Sequence, residues 1–385
     1  MKILAIYFKT GSGINAIYER LVAQLTAKES AVVDVLCNEP TDQDEALCGV
    51  RNHFHATFSS KKMSWYRKFL RWFGTTPVSD QWSRNVAQVV SGDYDVVLAC
   101  CSSTQLTPAV CGQFIAQQLG CKFGIYVVDA IPAPGGWIKR KSEFRGKLRI
   151  VRRILSKADY VAAANRNMLE YQLSVFPHKE GLQTDVLYTS SPEVWYTNPI
   201  SERTLFLYTG SLYGLRNSDY LLGAFKRILA ERPEAELMLV GLHHKLRHID
   251  RILTPEEQQH IVLAPHTDNL APLFADAKVL IDIDADRQKD PFLSSKITTY
   301  LRVNRMIVCE TGEETPSREL FAGLNTVVQC NHCEESMYQG MKRALELAST
   351  EQDFSERGAL INLFSATSVG EVLWSGLKRL TSTIE

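Results

Sequence analysis

The sequence lacks any run of about 18 consecutive apolar residues, so no segment reads as a membrane-crossing helix. It lacks net charge: 43 Lys and Arg balance 43 Asp and Glu over 385 residues, which argues against wholesale nucleic-acid binding. It lacks a leader pattern. Met1-Lys2 runs straight into Ile-Leu-Ala-Ile-Tyr-Phe with no cleavage site behind it, and a cytoplasmic protein is expected. It lacks a disulfide framework. The nine cysteines are scattered, and Cys100, Cys101 and Cys111 sit inside apolar runs, as reduced, buried thiols do. Only Cys330-Asn-His-Cys333 has metal-like or redox-like spacing, and one such pair without a second is a weak signal. No set of residues has metal-ligand spacing, no Ser-His-Asp arrangement can be assembled, and no repeat or low-complexity tract is visible.

Core material and periodicity are present. Hydrophobic residues make up 45%, which excludes a disordered chain. At about 150 residues per domain the length suggests two domains. In the first half, residues 2–8, 32–37, 95–101 and 123–128 are apolar runs of strand length. Residues 14–27 place Ile14, Ile17, Leu21 and Leu25 at helical spacing, and a further helix begins near Pro108. The pattern restarts with strands over 205–209, 237–240, 261–264, 279–283 and 306–309, and helices over 219–232, 293–303 and 337–348. Between the halves, Ser190, Ser191, Pro192, Asn198, Pro199 and Ser201 cluster as a linker. Short buried strands separated by helices predict parallel sheets covered on both faces. The expected fold is α/β, with two Rossmann-like doubly wound domains facing a cleft. They span 1–199 and 200–365, and 366–385 is a final helix able to cross back to the first. Ligands of such sheets lie beyond the carboxyl ends of the strands, so the loops there hold the candidates.

Three stretches of the second half carry a resemblance. They are Phe206-Leu-Tyr-Thr-Gly-Ser-Leu-Tyr-Gly-Leu-Arg-Asn217, Leu237-Met-Leu-Val-Gly241, and Asp290-Pro-Phe-Leu-Ser-Ser-Lys-Ile-Thr-Thr-Tyr-Leu301 with Arg305-Met-Ile-Val308. Together they resemble the donor domain of retaining GT-B glycosyltransferases of the GT4-like group, over roughly residues 200–320. The resemblance implies a nucleotide-sugar donor, such as a UDP- or GDP-sugar, bound as a substrate. It also implies retention of configuration, no bound cofactor and no metal. A diphosphate carries about two negative charges, which free N–H groups at a helix start and nearby cations can meet. Ser294, Ser295 and Lys296 stand where the helix read over 293–303 begins, and Arg216 can add a forked contact. The resemblance makes Lys296 and Arg216 the cations that stabilise the departing diphosphate. It places Gly210, Ser211, Gly241, His266, Asp290 and Thr299 around the donor. Two departures stand out. Thr299 occupies the position of the usual ribose-binding carboxylate, and Ser211 that of an arginine. They keep open a binding or scaffold protein of the same fold, and a nucleotide-sugar 2-epimerase is a further alternative. His243 and His244, like His266, lie in loops and read as surface residues unless a ligand is near.

In the first half, Gly11-Ser12-Gly13 lets the backbone approach an acceptor-side ligand, or is only a tight turn. Asp129 ends the strand at 123–128, where it can stabilise positive charge on a reacting sugar carbon as a catalytic group, or merely cap a turn. Residues 51–73 contain six Lys or Arg and no acid. On a helical wheel Trp65, Phe69 and Trp72 fall opposite Arg67, Lys68 and Arg71, the pattern of a helix lying in an anionic membrane surface; a core-packed helix with a basic outside is the other reading. Residues 139–157 carry nine cations and one acid, Glu143. A basic first domain fits a lipid-linked or surface-polysaccharide acceptor, an anionic membrane partner and no nucleic acid. The expected location is cytoplasmic and peripheral, on the inner face of the membrane.

Overall fold

The computed structural model describes residues 1–7, 14–37, 49–55, 73–74, 76–86, 88, 90, 92–190, 193–242, 246, 248–350 and 352–382. The chain forms two compact units, Met1–Ser190 with Ser365–Glu385, and Ser191–Phe364.

The first unit holds β1 (Lys2–Ile6), β2 (Val32–Cys37), β3 (Asn52–His55), β4 (Val96–Cys101), β5 (Lys122–Val127), β6 (Tyr160–Ala163) and β7 (Gln183–Val186). They form one parallel sheet in the order β3-β2-β1-β4-β5-β6-β7. Strand side chains alternate, and each face has its own core. Leu4, Ile6, Val97 and Ala99 pack with Val110, Ile115, Ile150 and Ile154. Ile3, Ala5, Tyr7 and Leu98 pack with Tyr18, Leu21, Leu373 and Leu377. Leu373 and Leu377 belong to the helix Ala366–Thr381, which lies beside the helix Ile14–Thr26. The approach needs a glycine: a Cβ on Gly370 would sit 2.5 Å from Gln24 Cβ. Arg379 locks the helix to Asp185 at the end of the sheet, 2.7 Å away.

The helix Lys141–Leu155 buries Ile150, Val151, Ile154 and Leu155 against the first core, while Lys141, Arg145, Arg149, Arg152 and Arg153 are exposed. Its apolar side is therefore core, and its cations form a solvent face. Trp65, Arg67, Lys68, Phe69, Arg71 and Trp72, read as membrane-facing, lie outside the described residues, as do Gly11, Ser12 and Gly13.

The second unit holds β8 (Leu205–Thr209), β9 (Glu236–Val240), β10 (Ile261–Ala264), β11 (Val279–Ile283), β12 (Met306–Glu310) and β13 (Val327–Cys330), parallel in the order β10-β9-β8-β11-β12-β13. The chain reverses direction of travel across the sheet between β8 and β11, the switch point of a doubly wound fold. Helices Asp219–Glu231 and Glu334–Ala348 cover one face through Leu222, Phe225, Met337 and Met341.

The helix read over 293–303 is a single turn, Ile297–Tyr300. Two side chains explain the shortening. The Ser294 hydroxyl is drawn to Asp282 (2.9 Å), and the Thr298 hydroxyl bonds the Ser295 carbonyl (2.8 Å), competing with a helical start. The end of the turn is pinned by Arg357. Its buried guanidinium donates to the carbonyls of Val303 (2.8 Å), Arg305 (2.7 Å) and Thr326 (2.8 Å). Burial lowers the Arg357 pKa to about 9, and the opposing pull of Glu356 is the weaker effect.

Candidate functional site

A cavity of about 300 Å³ opens at the carboxyl ends of β8 and β9. The end of β8 contributes Thr209, Gly210 and Ser211, and the loop beyond it contributes Tyr213 and Arg216. Val240 closes β9, and His266, Thr267 and Leu270 come from the loop after β10. Ser294, Ser295 and Lys296 supply the remaining wall. Loops distant in sequence thus meet where a doubly wound sheet holds its ligand.

Backbone geometry shapes the wall. Gly210 has φ +118°, and its N–H donates to the Val240 carbonyl at 2.8 Å. A Cβ there would lie 3.1 Å from Lys296 Cε, so the glycine supplies both the turn and the space for the lysine stem. Gly241, φ +88°, accepts at its carbonyl from the Ser211 hydroxyl at 3.3 Å, just behind the wall. The Thr209 N–H donates to the Tyr300 hydroxyl at 2.8 Å, which ties the end of β8 to the turn that follows Lys296.

The Lys296 ammonium donates to Asp282 Oδ1 at 3.0 Å and to Ser294 Oγ at 3.3 Å, and lies 4.6 Å from the centre of the Tyr208 ring. Ser294 passes its one hydrogen to the same Asp282 oxygen. Burial opposes the lysine charge, but the Asp282 carboxylate outweighs it and the Lys296 pKa is raised. Arg216 stacks against Tyr213, 5.4 Å from the ring centre, and its Nε has no partner among the described residues. Burial opposes its charge too, while Tyr213, Asp284 and Asp282 more than restore it.

Behind the two cations lies an acidic floor. Asp282 and Asp284 are buried, with Oδ2 of the first and Oδ1 of the second unpaired among the described residues. Asp284 accepts from the Thr311 hydroxyl at 2.9 Å, and burial beside Asp282 pushes its pKa up to about 6. Farther along, His332 Nδ1 meets Glu310 Oε1 at 2.9 Å, both side chains almost fully buried. Burial pushes Glu310 up to about 7, and Glu310 in turn raises His332 against the effect of burial. Composition alone gave these residues no role. The available signal was acids at alternate positions 282, 284 and 286 at the carboxyl end of an otherwise apolar strand.

The remaining candidates sit elsewhere. Asp290 is buried and Thr299 half-buried, and neither lines the cavity. His266 is exposed at the rim and faces Asp268 at 3.3 Å. Asp129 follows β5 in the first unit, at the start of a loop containing a cis Ile131–Pro132 bond. That loop is held by Gln172, which exchanges two hydrogen bonds with the Ile131 backbone (2.9 and 2.7 Å). Asp129 acts on its surroundings: burial and then this carboxylate push the Cys101 thiol up to about 12. Cys330 is buried and Cys333 exposed, both thiols are free, and Cys333 caps the helix Glu334–Ala348. His243 and His244 lie outside the described residues.

No protein-family profile matches the chain, and no curated protein matches its sequence. Solved structures do. The Anabaena protein HepE, determined in complex with UDP-glucose, matches with a TM-score of 0.66 at 13% identity, over 98% of this chain and 100% of that one. The lipopolysaccharide outer core galactosyltransferase WaaB matches at 0.63 and 14% identity, over 98% and 99%. A Listeria monocytogenes protein described as a UDP-N-acetylglucosamine 2-epimerase matches at 0.60 and 13%, over 98% and 95%. With parallel sheets of seven and six strands and agreement over nearly the whole chain, this protein has the GT-B fold.

Proposed function

We propose that this protein is a glycosyltransferase that takes a sugar from a nucleotide-sugar held by its second unit. The observation that carries the reading is the cavity at the carboxyl ends of the central strands, whose lining includes both Lys296 and Arg216 together with His266, Thr267 and Leu270 from the loop after β10. Two cations in a partly dry wall suit a diphosphate, and their charge favours its departure as negative charge develops. The loop after β10 then receives the nucleoside. UDP-sugars are the first donors to test, because HepE was solved with UDP-glucose. In the same reading Asp290 and Thr299 serve the donor, and Asp129 serves the reacting centre. In the finer reading the enzyme is GT4-like, retains configuration, and needs neither metal nor bound cofactor. The acceptor is a lipid-linked glycan or surface polysaccharide at the inner face of an anionic membrane. The cationic face of the helix Lys141–Leu155 supports that location.

The test is thermal unfolding against a panel of nucleoside diphosphates and UDP- and GDP-sugars. A ligand at 100 times its Kd stabilises by about 2.7 kcal/mol, a readable shift in Tm. One nucleotide is expected to raise Tm, and Lys296→Ala to diminish the rise. A panel without effect removes the reading and leaves a scaffold of the same fold. The Listeria likeness keeps one rival reaction: conversion of a UDP-sugar to its epimer with no acceptor present favours an epimerase.

A further inference from the structure

The cavity wall contains a feature that anion binding alone does not call for. Asp282 is fully buried in β11, and it stands directly behind the cation that faces the cavity. A carboxylate so close to a diphosphate repels it, so its presence needs another reason. The hydrogen bonds supply one. Oδ1 of Asp282 accepts from both Lys296 Nζ (3.0 Å) and Ser294 Oγ (2.9 Å), and Ser294 Oγ accepts in turn from Lys296 (3.3 Å). An ammonium has three donors. Two are engaged in this triangle, the Tyr208 ring lies 4.6 Å away, and the third is left for the cavity that Lys296 lines. Without the triangle, the long lysine side chain has many rotamers to choose from.

We propose that Asp282 is a positioning residue: it fixes the Lys296 ammonium in the cavity wall and acts on a bound nucleoside diphosphate only through that lysine. The proposal rests on the nucleotide-sugar reading given above. The charged and titratable groups facing Lys296 are Asp282 from β11, Tyr208 from β8, Arg216 from the loop after β8, and Tyr300 from its own turn. Asp282 is the one among them that supplies an opposing charge at hydrogen-bond distance. Asp282→Asn keeps an oxygen for the triangle but removes that charge, which takes away the strongest of the groups that oppose burial at the ammonium. Asp282→Asn then loses affinity as pH rises, over a range where the wild type does not.

The experiment is calorimetric titration with UDP at pH 7, 8 and 9 for wild type, Asp282→Asn, Lys296→Ala and the double variant. If the wild type binds neither UDP nor any other nucleoside diphosphate, the functional reading fails, and this proposal with it. If the wild type binds, the proposal expects Asp282→Asn to be about tenfold weaker at pH 7 and weaker still at pH 9. It also expects the added effect to vanish in the Lys296→Ala background, since a residue acting through another has nothing to act on once that one is gone. Binding by Asp282→Asn as tight as wild type, or tighter at every pH, overturns it, as does an undiminished effect in the Lys296→Ala background. Should Asp282→Asn fail to fold, Ser294→Ala removes another side of the triangle. A loss of about threefold that also vanishes without Lys296 supports the proposal, and no loss overturns it.

Discussion

Asp284 lies deep in the second unit with one oxygen unpaired among the described residues, and its proton balance has a measurable signature. Its folded pKa of about 6 lies above the usual value of about 3.9, so the folded state keeps a proton that the unfolded chain has released. The contribution of this group to stability is highest at low pH and falls as pH rises from about 4 to about 6. Asp284→Asn keeps an acceptor for Thr311 and removes the charge. The variant is expected to match wild type near pH 4 and to exceed it by about 3 kcal/mol well above pH 6, read from urea melts at both values. A gain of equal size at every pH would refute the assignment. Glu310 and His332 act in the same direction, because both release their protons at a higher pH in the fold than when free.

At the scale of elements, the turn carrying Lys296 owes its place to residues far along the chain. Arg357 holds its carboxyl end through the Val303 carbonyl, and Tyr300 ties it to β8. The helix Lys141–Leu155 is a second such element, with its apolar side spent on the core and its cations outward. Lys141→Glu with Arg145→Glu changes only exposed positions, so folding is expected to be unaffected. Binding to vesicles containing phosphatidylserine or phosphatidylglycerol should fall at least tenfold, at about 1 kcal/mol per cation removed near the surface. Sedimentation with vesicles measures it, and unchanged binding would clear this helix of a membrane role. Central strands were legible because they are buried on both faces: 205–209 and 279–283 have the bounds read from their apolar runs, and the edge strand 261–264 was legible from its apolar run alone. Gln183–Val186 and Tyr160–Ala163 are four residues long, the first of them polar at three of its four positions, and neither stands out from a loop by pattern. The glycines and cations of the cavity were visible as separate motifs. Their partnership with Asp282 was not, because an acid in an apolar strand gains a meaning only when folding decides what lies across from it.

The whole molecule is one continuous and one discontinuous unit. Residues 191–364 contain the second sheet, its helices and every residue lining the cavity. Expressed alone, this segment is expected to unfold cooperatively and to bind the same nucleoside diphosphate as the full chain, with Kd within about threefold if the cavity is self-sufficient. Calorimetry on the two proteins decides it. Residues 1–190 alone lack Leu373, Trp374, Leu377 and Leu380, side chains worth about 1.5–3 kcal/mol each when buried. That fragment should aggregate, and recover when the peptide 365–385 is supplied.

The position of that last helix also orders events on the ribosome. Translation is vectorial, and domains tend to fold as they emerge. Here the unit that begins the chain cannot finish first. Its sheet emerges early, yet the face holding Tyr18 and Leu21 waits for Leu373 and Leu377, which are made after all of residues 191–364. The later unit can close while the earlier one is still open. During that interval a nascent chain presents an unfinished apolar face, the kind of transiently exposed surface that promotes aggregation.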